Sequence, residues 1–161
     1  MAETQDLQAT LDGALRRIDE LESRLTFRDL VTDYCLGFDN HDWDRFIAIW
    51  HEDCVWDIGA PFGSFSGHDG IKKAVFEVLY PVWRETHHLT SNLRVTFKDR
   101  DRAHGVCNVD CMGATKDNVV QMINATYTDE FERRNGVWKI ARRGVTMHYF
   151  NPIPGAQMSA P

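Results

Sequence analysis

The stretch Thr126–Val145, TYTDEFERRNGVWKIARRGV, decides the fold. At its centre stands Asn135-Gly136, the pair favoured in a two-residue hairpin turn because both residues tolerate a positive φ. Aromatic and β-branched residues flank the turn on both sides, so two long antiparallel strands meet there. Working outward, HHLTSNLRVTF (87–97), RAHGVCNVDCMGA (102–114), NVVQMINATYTDEFERR (118–134) and GVWKIARRGVTMHYF (136–150) read as four long strands. The polar turns KDRD, TKD and RNG separate them.

Upstream the period changes from two to that of a helix. Leu7, Leu11, Ala14, Ile18, Leu21 and Leu25 follow a heptad, with arginines and glutamates on the polar side. This predicts an amphipathic helix over residues 1–25, packed either on its own domain or on a neighbouring subunit. A second helix is expected from Thr26 to Phe38, carrying Phe27, Leu30, Val31, Tyr34, Cys35 and Phe38, followed by a DNHD turn. Asp42 can cap a third helix with Trp43, Phe46, Ile47 and Trp50 on one face. CVWDIG (54–59) predicts a short strand, APFGSFSGHDG (60–70) a loop, and Ile71–Val82 a fourth helix that includes Leu79. The tail at 151–161 holds three of the five prolines and is expected to be irregular. Helices first and antiparallel strands afterwards imply one α+β domain over 1–161. A mostly antiparallel sheet, curved around the helices, would give a cone-shaped α+β barrel with an interior pocket.

The chain has 161 residues and a formal net charge of -6, which disfavours nucleic acid and anionic membrane as partners. No apolar run reaches the length of a membrane span. The opening residues MAETQDLQAT are polar and acidic, unlike a signal peptide. None of the four cysteines (Cys35, Cys54, Cys107, Cys111) forms a C-x-x-C pair. Buried thiols in a reduced, cytoplasmic setting are therefore expected.

Asp39 lies at the edge of the apolar face of the second helix, where a carboxylate needs a partner. His87 and His88 open a strand, and one of them must face the core. An aspartate on one imidazole nitrogen fixes the tautomer and stabilises the imidazolium, which makes the other nitrogen a general base. The alternation Leu93, Val95, Phe97 gives His88 the outward parity, so it turns inward only if a bulge lies around Thr90 to Asn92; otherwise His87 is the inward one. On the last strand Arg143 shares a parity with Val145 and Met147, and Arg142 has the other. One of the two arginines must sit on the concave side, either as a structural ion pair or as an anion stabiliser facing the pocket. Metal binding is not expected: HED and HH are not ligand spacings, and H-E-x-x-H is absent. G-x-G-x-x-G, P-loop and G-x-S-x-G motifs are absent as well. Trp56 and Trp83 lie where a pocket wall would be.

The order of elements, Asp39 at a helix end, ETHHLTSNLR (85–94), YTDEFERRNGVWK (127–139) and the final YF (149–150) together resemble the nuclear transport factor 2-like superfamily. The chain is most similar to its SnoaL-like branch, which includes hexachlorocyclohexane dehydrochlorinases, scytalone dehydratase and bile acid 7α-dehydratase. The resemblance covers nearly everything after the first helix. It implies an aspartate–histidine dyad, Asp39 and His88, in a cone-shaped pocket, and hence a bulge before Leu93. It implies a pocket arginine at Arg143 and wall aromatics at Trp56 and Trp83, with Leu79, Val145 and Met147 completing an apolar wall. It also implies no metal, no organic cofactor and a homotrimer. Tyr34 stands where the dehydrochlorinases carry a lysine and the bile acid enzyme a tyrosine. Five helical residues rotate by about 140°, so Tyr34 and Asp39 converge only if the helix bends or ends near Gly37. These features point to a cofactor-independent lyase, a dehydratase rather than a dehydrohalogenase, acting on a hydrophobic cyclic molecule. An isomerase or polyketide cyclase, or a non-catalytic binding or assembly protein, is the alternative, since one fold hosts many functions.

Overall fold

The computed structural model describes residues 2–156. The elements are α1 (Ala2–Asp39), α2 (Trp43–Ala48), β1 (Trp50–Gly59), β2 (Gly63–Ser66) and α3 (Gly67–Lys73), continued by a π-helical turn (Ala74–Leu79). Four long strands follow: β3 (Trp83–Phe97), β4 (Arg102–Thr115), β5 (Val120–Arg134) and β6 (Val137–Pro152). They form one six-stranded sheet in the order β2-β1-β6-β5-β4-β3. Every neighbouring pair is antiparallel except β1 and β6, which run parallel. The α+β cone and its mostly antiparallel sheet are as expected, but β2 and β3 remain edges, so the cone stays open rather than closing into a barrel.

The two expected N-terminal helices are one. Nothing between Leu25 and Thr26 breaks the helix, and Thr26 does not cap. Its hydroxyl donates back to the Glu22 carbonyl at 3.1 Å, as Ser23 does to Asp19 at 2.7 Å. The segment expected as a loop contains β2, which pairs with the end of β1. The helix expected at 71–82 begins at Gly67 and ends at Leu79. In the tail, Asn151 and Pro152 prolong β6, and the expectation for 157–161 lies outside the described residues.

The inner face of α1 is anchored at one end of the cone. Phe27 is fully buried against Phe131 and Trp138, with ring centroids 4.6 and 4.9 Å away. The Trp138 indole N–H donates to Ser23 Oγ at 2.9 Å, and Arg133 binds Asp19 at 2.6 Å. At the other end α2 crosses α1 at Gly37. A Cβ there would meet the Phe46 backbone nitrogen at 2.8 Å.

Irregularities in the ladders decide which side chains reach the interior. On β3 the register slips between Ser91 and Arg94, and Asn92 takes a φ of 60°. This bulge turns His88 inward while Val95 remains buried, and it leaves His87 exposed. On β6, Arg142 pairs with Glu130 and Ile140 with Phe131, so Ala141 is an extra residue. Trp138, Ile140 and Arg143 are therefore all buried despite their mixed parity. A second slip at His148 lets Met147 and Phe150 both face the cavity.

Gly37→Ala should destabilise the protein by about 1–3 kcal/mol through overpacking against backbone that cannot yield. Gly13→Ala, with nothing within 4 Å of its new methyl, should stabilise the helix by up to ~1 kcal/mol. Urea unfolding midpoints of the two variants check both signs.

Candidate active site

The cavity inside the cone is walled mainly by apolar side chains, and all five expected wall residues, Trp56, Trp83, Leu79, Val145 and Met147, border it. The hydroxyl and imidazole groups on the wall belong to Tyr34, Thr86, His88 and Tyr127. A ligand here would thus be held by apolar surface and oriented by a few polar groups.

His88 and Asp39 meet at the edge of this cavity. Asp39 Oδ1 is 2.6 Å from His88 Nδ1, and both side chains are nearly buried. The backbone N–H of His88 donates to Asp39 Oδ2 at 2.8 Å, and the Thr86 hydroxyl donates to Oδ1 at 2.6 Å. An ionised carboxylate can only accept, so Nδ1 carries the proton and Nε2 is left with a free lone pair. Burial pushes the Asp39 carboxyl up, but the hydrogen bonds and charge from His88, with the Thr86 bond, outweigh it and hold it below the usual carboxylate range.

Tyr34 reaches the same point by a different route from the one expected. Helix α1 runs unbroken through Gly37 to Asp39. His88 instead lies against it, its ring centroid 5.9 Å from that of Tyr34 and 5.5 Å from that of Phe38. Tyr34 is buried edge-on to Tyr127, with 5.4 Å between centroids. Burial pushes the Tyr34 phenol well above its ordinary value, so the hydroxyl stays protonated at neutral pH.

Arg143 departs from the expected position. It does not border the cavity but lies fully buried behind it, with its guanidinium 4.2 Å from the Tyr34 ring centroid and 4.3 Å from that of Tyr127. Its Nε and Nη2 donate to the two carboxylate oxygens of Asp129 at 2.7 and 2.8 Å. Nη1 of Arg143 and Nε1 of Trp56 are buried donors with no acceptor among the described residues. Burial opposes the Arg143 charge, and the Asp129 contact outweighs it, so the guanidinium stays protonated. Arg142, the alternative, is half-exposed and bonds Asp57 at 3.0 Å.

Sequence reasoning missed Thr86, Tyr127 and Asp129. A signal existed for Asp129: it alternates with Tyr127 and Phe131 on one strand face, where an acid must find a cation. Thr86 carried none, because its inward position depends on the same local geometry that turns His88. Among the described residues no cluster of three or more histidine, cysteine or acidic side chains could hold a metal ion. The four cysteines are buried and unpaired, and no helix among the described residues is long and apolar enough to cross a membrane.

Residues 19–144 match the model of the SnoaL-like domain. The chain is 36% identical over 145 residues to hexachlorocyclohexane dehydrochlorinase 1 of Sphingobium indicum, across 89% of this chain and 94% of that protein. A crystal structure of a type 2 hexachlorocyclohexane dehydrochlorinase superposes with a TM-score of 0.86 at 36% identity, covering 90% of this chain and 98% of that one. A putative scytalone dehydratase from Novosphingobium aromaticivorans shares the fold, with a TM-score of 0.76 at 21% identity over 88% of this chain and 94% of that one.

Two stability measurements follow from the site. Arg143→Met or Asp129→Leu alone should cost about 3–5 kcal/mol, because each strands a buried charge, whereas the double substitution should recover most of the loss. Urea denaturation of the three variants tests this. The lowered carboxyl of Asp39 favours the native state fully above the unfolded pKa of ~4. That contribution is lost as pH falls towards the folded value. Asp39→Asn should therefore flatten the acid limb of stability against pH.

Proposed function

The chain belongs to the SnoaL-like domain family of the nuclear transport factor 2-like superfamily, and on that premise we propose that it is a cofactor-independent lyase acting on a hydrophobic cyclic molecule. The observation that carries this reading is the imidazole of His88, held through Nδ1 by Asp39 at 2.6 Å at the edge of an apolar cavity. His88 Nε2 takes a proton from a substrate carbon, and the C–H electrons form the new double bond as the leaving group departs from the neighbouring carbon. Asp39 stabilises the imidazolium, and Thr86 with the His88 backbone N–H holds the carboxylate in position. General-base catalysis of this kind contributes typically ~10²–10⁴-fold.

The leaving group in this reading is hydroxide, which must gain a proton as the C–O bond breaks. Tyr34 supplies it, being a buried phenol kept protonated beside His88. The proton on His88 then returns to the Tyr34 oxygen through solvent and resets the site. Arg143, stacked on both phenols, stabilises negative charge on Tyr34 during the step. The protein acts as a homotrimer in this reading, by analogy with its relatives.

A second reading, loss of halide, is favoured by the similarity to the dehydrochlorinases and by the unpartnered indole N–H of Trp56 on the cavity wall. A halide leaves as a stable anion and needs hydrogen bonds rather than a proton. In both readings His88→Ala should abolish turnover, by at least ~10²-fold, with folding intact. Tyr34→Phe separates them: it should damage loss of water severely and loss of hydrogen chloride much less. Products of hydroxylated and chlorinated alicyclic substrates, read by mass spectrometry, decide the matter. Full activity in His88→Ala, or isomerised products of unchanged mass, would refute the lyase reading.

A further inference from the structure

Helix α1 has two faces with opposite fates. From residue 19 onward Asp19, Ser23, Phe27 and Leu30 attach it to the domain. Leu7, Leu11, Ala14, Ile18, Leu21 and Leu25 fall on the other side, and all six are exposed. The five large ones among them are between 50% and 70% exposed, with Leu15 beside them at 55%. Their spacing alternates four and three residues, so with Leu11 as a they occupy only a and d positions of a heptad. The anchored residues occupy b, c and f. A continuous apolar stripe of this kind on a soluble helix marks an interaction surface. The SnoaL-like match begins only at residue 19, so much of the stripe lies outside the family domain.

The flanking charges identify the occupant. Arg17 and Arg24 stand at g, and Glu22 and Asp29 at e. In a parallel pair of these helices each g position meets the following e of its neighbour. Arg17 then faces Glu22 of the other copy. In an antiparallel pair g meets g and e meets e, so arginine would meet arginine and acid would meet acid. Arg17, Glu22 and Asp29 are exposed and make no side-chain hydrogen bond or ion pair among the described residues, whereas Arg24 bonds Glu20 at 2.8 Å and the Val95 carbonyl of its own domain at 3.2 Å and lies over the Phe97 ring, so the Arg17–Glu22 pair carries the charge argument. The seam ends at Arg28, which takes the next d position.

We propose that α1 joins copies of this chain through a parallel coiled coil along the stripe Leu7–Leu25. The seam is about 27 Å long at 1.5 Å per residue. A coil this short is marginal as a free peptide. Here each helix is prefolded by its attachment to a domain, which removes the cost of nucleating it. The seam is separate from the cavity and from any contact between the sheets.

Sedimentation velocity of the full chain at micromolar concentration tests the proposal. The native protein should associate, and Ile18→Glu, at an exposed position, should raise the dissociation constant by at least ~tenfold, about 1.4 kcal/mol. Arg17→Glu should weaken association severalfold, and adding Glu22→Arg should restore it. Leu21→Cys should cross-link to its own counterpart on oxidation, since identical d residues adjoin only in a parallel coil. A monomeric native protein, or association indifferent to Ile18→Glu, would overturn the proposal. Absence of the cross-link in an associated protein would overturn its parallel arrangement.

Discussion

A charge pair buried against two tyrosine rings sets the terms for the rest of this structure. Arg143 and Asp129 are both fully buried, and the guanidinium packs against the rings of both Tyr34 and Tyr127. Taking two ions out of water is costly, and only close bidentate geometry offsets the cost. The bidentate contact requires β5 and β6 to hold a single register, because a slip by one residue would turn one partner away from the core. The guanidinium packing in turn fixes Tyr34, a residue of α1 that borders the cavity beside His88. Helix, sheet and cavity wall thus share one constraint.

The same arrangement separates two electrostatic environments a few residues apart. His88 and Asp39 form a pair whose net charge changes when the imidazole takes a proton. The second pair is Arg143 with Asp129, in which the guanidinium is held charged. The first can carry a proton, and the second can only supply a field. Tyr34 stands between them, with the guanidinium over its face and its ring perpendicular to the imidazole. Its phenol can therefore sense both.

The parts of this fold that were legible in the sequence are those governed by period. The four long strands and the Asn135-Gly136 turn follow from alternation and turn chemistry. The inner face of α1 follows from helical spacing. Asp39 and His88 were legible because an acid at an apolar edge and a histidine at a strand start are each out of place alone. What period cannot show is where it breaks. The inward turn of His88 rests on the bulge at Ser91–Arg94, and the burial of Arg143 alongside Ile140 rests on one extra residue at Ala141. The family resemblance implied the first bulge, and nothing signalled the second. Arg143 was accordingly expected on the cavity wall, whereas its pairing with Asp129 draws it behind Tyr34. The fusion of two helices into α1 was hidden for the opposite reason: Thr26 looks like a cap, and only its bond back to Glu22 shows that the chain passes straight through.

That fusion has a consequence for how the chain can vary. Helix α1 is 38 residues without interruption, so the azimuth of every side chain on it is tied to that of every other. Inserting or deleting one residue in such a rod rotates everything beyond it by about 100°. An insertion between Leu25 and Phe27 would leave Asp39 and Tyr34 in place while swinging the outer leucines sideways. A deletion between Tyr34 and Asp39 would leave the outer leucines in place and carry the carboxylate away from His88. Substitutions along α1 are local events, but changes in its length are not, and the helix can be altered in length only where both faces have already ended.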